Sequence, residues 1–232
     1  RNPPVFDPAT HSVTLPESLK KSFQALWDGE WWRLGLPAEL GGYGIPPTIQ
    51  CGRGADPRLE PRRLHVHGRP QLRRRRAPQR HRRAEALAQL MIDRAWGATM
   101  VLTEPDAGSD VGAGRTKAVR QPDGTWHIDG VKRFITSADQ DMSENIMHLV
   151  LARPRGCEGG HQGSVAVPGA QVPLRHRDRR ARRAQRRLRH QRRAQDGSQG
   201  IRTCELTFGQ HGVPAVGRLL GEVHDGIARC SR

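Results

Sequence analysis

The sequence predicts an α+β chain, helical at first and antiparallel β afterwards. Three observations carry this. Leu19, Phe23, Leu26 and Trp27 fall at i, i+4, i+7 and i+8, one face of a helix. Between residues 97 and 153, apolar β-type runs are separated by Pro122-Asp123-Gly124 and Asp129-Gly130 turns, the spacing of closely joined antiparallel strands. Cys204 to Phe208 then alternates apolar and polar with the period of a further strand.

Taken in order, residues 1–50 read as a loop and then a helix. Pro16 and Glu17 suit its first turn, where a missing N–H costs nothing and an acidic side chain meets the positive end of the dipole. The Trp31-Trp32 pair is expected in the core. Trp31, Trp32 and Leu34 continue the apolar character into Leu36 to Gly42, and Ala86, Leu87, Leu90, Met91 and Ala95 read as a short second helix. A strand then ends at Thr103, and a Pro105-Asp106-Ala107-Gly108 turn follows, with Gly108 expected to tolerate positive φ. Arg115–Arg120 and Trp126–Ile128 form a hairpin, Asp129-Gly130 a second turn, and Val131–Thr136 and Ile146–Ala152 two more strands. Asp139, Asp141, Ser143 and Asn145 imitate a calcium loop. Glu144 stands where glycine is needed and Val150 where the bidentate glutamate is needed, so the loop is not assigned to calcium.

A formal charge of +16 would ordinarily point to nucleic acid. The charge is concentrated, however. Residues 52–83 hold 12 Arg and residues 155–202 hold 13, with no Lys, Phe, Tyr or Trp in either block. Together they carry a net +20, so the remainder is mildly acidic. Nucleic-acid binders usually mix Lys with Arg and interleave aromatics for stacking. An Arg-rich nucleic-acid-binding protein is therefore the alternative reading and not the leading one. Each block buries too little apolar surface to order itself. Both have the composition of GC-rich coding sequence read one nucleotide out of frame. Shifting the frame with GC-rich codons turns the first into a string of helical apolar spacing and the second into strand, turn and strand.

Four cysteines lie far apart with no C-x-x-C spacing, so neither a zinc site nor a disulfide framework is expected. No run reaches the length of a membrane-spanning helix, and no signal segment opens the chain. The expectation is a cytoplasmic protein, and a first residue of Arg1 points to a fragment.

The stretch L-T-E-P-D-A-G-S-D-V-G-A at 102–113 resembles the signature of the acyl-CoA dehydrogenase family, FAD-dependent oxidoreductases of fatty acid β-oxidation. D-G-V-K-R-F-I-T-S-A at 129–138 is similar to that family's flavin-facing strand, with Phe134 where many members have Trp. Leu36 to Gly42 and Val213 to Gly221 also resemble family segments. The resemblance implies a partial N-terminal helical domain over 1–96, an antiparallel middle β domain over 97–215, and 216–232 as the start of a C-terminal helical bundle otherwise missing. It implies FAD as cofactor, with Met100, Val101, Leu102, Thr103, Gly108, Ser109, Phe134, Ile135 and Thr136 beside it. Ser109 is also the expected contact to an acyl-CoA substrate. Electron-transfer flavoprotein as acceptor and a homo-oligomer are implied likewise, with no specific nucleic acid, metal or membrane partner. Glu104 is not assigned as catalytic base, because the family's base lies in the C-terminal helical domain. A flavin-independent relative using the fold as a binding module is a third reading.

Overall fold

A computed structural model describes residues 4–7, 12–45, 78–155, 165–170, 191–193, 203–209, 214–220, 223 and 226. The chain opens with a small antiparallel ladder, β1 (Val5–Asp7) on β2 (Ser12–Thr14), where a loop was expected. Helix α1 (Glu17–Asp28) follows as the apolar spacing requires. The Pro16 carbonyl accepts the amides of Leu19 and Lys20, Glu17 occupies the first turn, and Leu26 is its buried residue. Two 3₁₀ turns, Trp31–Gly35 and Ala38–Leu40, complete this part. The tryptophan pair divides: Trp32 stacks on Trp27 at 4.7 Å between centroids, whereas Trp31 is 52 % exposed. The left-handed backbone of Glu30 (φ 53°) re-aims the chain between Trp27 and the pair, which helical periodicity does not reveal.

Helix α2 (Pro78–Asp93) begins earlier than the apolar pattern implies and takes in the last six residues of the first arginine block. The other readings placed on residues 52–77, and most of those on 156–202, lie outside the described residues. Within the second block, two strands are described, β7 (Val165–Ala170) and β8 (Gln191–Arg193).

The remaining strands are β3 (Gly97–Val101), β4 (Lys117–Arg120), β5 (Trp126–Thr136), β6 (Ile146–Pro154), β9 (Thr203–Phe208) and β10 (Ala215–Gly217). With β7 and β8 they form one eight-stranded sheet along the path β3-β6-β4-β5-β9-β8, with β7 added on β6 and β10 on β5. The sheet is mixed. The expected hairpin β4–β5 is antiparallel, closed by Gln121, Gly124 and an Asp123 side chain bonded to Thr125. But β3 and β4 both run parallel to β6, with Val101 opposite Val150 and Ala118 opposite Pro154. Turn chemistry dictates only the pairing of sequence neighbours. The long β3-to-β6 connection leaves room for the crossover that parallel pairing needs.

Asp129-Gly130 is not a turn, and β5 runs straight through it. At that point the strand changes neighbours, with β4 and β10 before it and β9 after it. The core lies on the face carrying Val101, Ala118, Ile128, Val150 and Leu206, each at most 1 % exposed, and Ala215, Leu219 and Val223 pack against it. Each large aliphatic side chain buried there contributes about 1.5–3 kcal/mol.

The imitation calcium loop is a structural clamp. Asp141 accepts the Leu15 amide at 2.9 Å and the Lys20 ammonium at 2.8 Å, tying α1 to the β3–β6 end of the sheet. Gln140 and Ser143 satisfy the loop from within, and Ser143 Oγ accepts the Gly97 amide.

Candidate functional site

Two segments far apart in sequence are stitched side by side. The Arg133 amide donates to the Thr103 carbonyl at 2.9 Å. The preceding residue, Lys132, sends its ammonium to the Leu102 carbonyl at 2.8 Å and to Glu104 Oε1 at 2.9 Å. Three consecutive residues of the strand end are thus held by two consecutive residues of β5. The segments that the sequence singles out are neighbours.

Glu104 closes a tight turn around Pro105 and Asp106, exchanging both backbone hydrogen bonds with Ala107. Gly108 accordingly does not use its freedom for positive φ. A Cβ there would meet only Thr103 Cγ2, at 3.9 Å. Neither backbone strain nor crowding demands a glycine here, so what it supplies is open approach beside the Thr103 side chain. Ser109 and Asp110 lie exposed on the same rim, and Asp110 accepts the Gly112 amide.

In β5 the register slips between Lys132 and Ile135, a bulge at Arg133 and Phe134. Phe134 adopts φ 60°, a left-handed conformation costly for a bulky side chain, and is 53 % exposed. Arg133 pairs with Glu205 of β9 at 2.5 Å and braces the bulge from the other side. Strain that turns an aromatic ring out into solvent is of the kind proteins keep at ligand sites.

Of the nine residues expected beside a cofactor, Gly108, Ser109, Met100 and Phe134 are exposed, and Leu102, Thr103 and Thr136 are half-buried. The hydroxyls of Thr103 and Thr136 make no hydrogen bond among the described residues. Val101 and Ile135 are different: at 0 % and 3 % exposure their side chains belong to the core, leaving only backbone to face a ligand. The two-residue period of a strand requires this, since each stands between two outward neighbours.

Sequence reasoning missed Lys132, which is 1 % exposed. A signal was present, because Lys132 falls in the same two-residue phase as Trp126 and Ile128, the inward phase. A lysine in core phase calls for a buried partner. Glu104 is that partner. Its carboxylate also accepts the Arg115 amide at 2.6 Å and the Thr116 amide at 3.0 Å. Gly114 makes room for it, a Cβ there falling 2.9 Å from Glu104 Oε1.

Burial alone pushes the Glu104 carboxyl up, but hydrogen bonds from Lys132, Thr116 and Arg115 outweigh it and hold the group below its ordinary value of 4.5. The folded chain therefore binds this proton less readily than the unfolded one. The resulting stabilisation is full above that ordinary value and is lost as pH falls through the lower folded one. Thermal midpoints taken between about pH 5 and pH 3 should fall more steeply for the parent than for Glu104→Gln. Parallel slopes would show that the carboxylate has no such role.

Residues 99–210 match the family model for the acyl-CoA dehydrogenase middle domain. The broad-specificity linear acyl-CoA dehydrogenase FadE5 of Mycobacterium tuberculosis is 46 % identical over 255 residues, covering 99 % of this chain and 38 % of FadE5. The 3-methylmercaptopropionyl-CoA dehydrogenase of Ruegeria pomeroyi is 38 % identical over 165 residues, covering 65 % of this chain and 26 % of that protein. This chain therefore spans well under half the length of these relatives. Among solved structures, an acyl-CoA dehydrogenase of Bacillus anthracis complexed with FAD superposes with a TM-score of 0.60 at 19 % identity. That match covers 93 % of this chain and 33 % of the other, and shows a shared fold. The β sheet with its paired 100–110 and 129–138 segments carries an acyl-CoA dehydrogenase middle domain, and the chain belongs to the acyl-CoA dehydrogenase family.

Proposed function

We propose that the chain is the flavin-facing part of an FAD-dependent acyl-CoA dehydrogenase, the enzyme class that introduces an α,β double bond into fatty acyl-CoA thioesters. The observation that carries this is the lateral pairing of the two segments through Lys132, Arg133 and the 102–104 strand end. An exposed Phe134 turned outward by its bulge, the two threonine hydroxyls and the open space at Gly108 suit a flat, polar-edged ring with an anionic tail. Leu102, Thr103, Phe134 and Thr136 would line the ring, with the backbone of Val101 and Ile135 beneath. Gly108 and Ser109 would meet the phosphates or the CoA arm, Ser109 being the substrate contact. Bound there, FAD would accept a hydride from the acyl chain.

Glu104 is not the base of that reaction, since its carboxylate is wholly engaged by Lys132, Arg115 and Thr116. No other described carboxylate is assigned the role, and these 232 residues on their own are expected to lack turnover. The intact protein would draw on acyl-CoA, an acceptor such as electron-transfer flavoprotein, and further copies of itself. Among the described residues no helix is long and apolar enough to cross a membrane.

Titration of the purified chain with FAD, followed by flavin fluorescence and absorbance, tests the reading. Weak binding is expected, loosened at least about threefold by Gly108→Ala with no change in thermal midpoint, because the added methyl meets ligand space and not protein. Undiminished binding by that variant would count against the proposed cradle. Turnover of any acyl-CoA by the parent polypeptide would overturn the expectation that it is inactive on its own.

A further inference from the structure

We propose that Glu104 and Lys132 act as a positioning pair that sets the register between the two ligand-facing segments. The identity of the ligand in this proposal rests on the flavin reading above, but the positioning itself does not. Lys132 lies on β5 and Glu104 three residues past the end of β3, and neither side chain is more than 7 % exposed. The ammonium bridges a carboxylate and the Leu102 carbonyl, while the carboxylate gathers the Arg115 and Thr116 amides from a third segment. The strand end, the approach to β4 and β5 therefore meet on one ion pair.

Stability alone is a poor account of such a pair. The desolvation cost of two buried charges commonly cancels their attraction, and apolar replacements of similar volume often fold as well or better. An apolar pair, though, has no donor for the Leu102 carbonyl. Lys132 grips residue 102, the next amide of β5 grips residue 103, and the bulge turns Phe134 outward directly afterwards. A slip of one residue would exchange exposed Phe134 for buried Ile135, because strand faces alternate. The ion pair makes that slip expensive at the one place where the strand is already irregular.

The test uses the full chain carrying Glu104→Gln with Lys132→Met, and measures residue-resolved amide hydrogen exchange with and without FAD. The amides of Glu104 and Arg133, bonded to Ala107 and Thr103, should exchange at least about tenfold faster than in the parent. Those of Val150 and Leu206 should be unchanged, and the FAD dissociation constant should rise at least about tenfold. Lys132→Arg keeps the charge while changing the donor geometry. Read on the same amides, it decides the matter should the double variant not fold. Exchange that stays at the parent rate, or that quickens evenly across the sheet, overturns the proposal, as does, where the parent binds FAD, an unchanged dissociation constant in the double variant. Local quickening in a chain whose parent shows no FAD binding would sustain the positioning role and remove the flavin reading.

Discussion

Replacing Lys132 by Met alone should destabilise the chain by about 3–5 kcal/mol, the cost of leaving one charge of a buried pair without its partner. The abandoned group is Glu104, enclosed beneath the turn with only the Arg115 and Thr116 amides to bond it. Its carboxyl would escape the penalty by taking up a proton, so the loss should shrink on acidification toward about pH 4. Adding Glu104→Gln should recover most of the stability at neutral pH, since the double variant buries no net charge. Urea unfolding of the parent, the two singles and the double at one pH closes the cycle. A single-variant loss below about 1 kcal/mol would mean the pair is wet, and would undo the account of Glu104 given above.

That pair also marks the limit of what the sequence disclosed. Helix α1 was legible because four apolar residues on one stripe admit little else, and the Gln121–Thr125 hairpin because Pro122 presets φ and Gly124 can take the φ of 78° that the turn uses. The site segments were legible as motifs. What was not legible was that they touch, because pairing between residues some thirty positions apart depends on the topology of the whole sheet. The parallel course of β3 beside β6 belongs to the same class of information.

Two local departures have local causes. The Pro105-to-Gly108 sequence predicts a turn in which Gly108 is free to take a positive φ, whereas the turn closes one step earlier, between Glu104 and Ala107, and that freedom goes unused. The positive φ appeared instead at Phe134, where residue type argues against it and only the bulge explains it. Asp129-Gly130 was taken for a turn on the strength of its dipeptide, although the same glycine can serve close packing within a strand.

The last point yields the second large effect. Gly130→Ala should cost about 2–5 kcal/mol, from backbone strain and overpacking together. At φ 153° the residue lies in a region glycine favours, and an added Cβ would fall 2.5 Å from Thr116 Oγ1 and 2.8 Å from Thr116 Cα. Thr116 has nowhere to retreat. It is 2 % exposed, its carbonyl accepts the Arg153 amide at 2.7 Å, and its own amide holds Glu104. Gly124→Ala is the matched control, since φ there is 78° but nothing lies within 4 Å of the added methyl. It should cost only the left-handed penalty of roughly 1–2 kcal/mol. Equal losses in the two variants would show that conformation alone sets both, and that β5 and the Thr116 backbone are not in close contact. A larger loss at Gly130, accompanied by a weaker acid dependence of stability, would place the glycine, the threonine and the buried carboxylate in one mechanical unit beneath the ligand-facing rim.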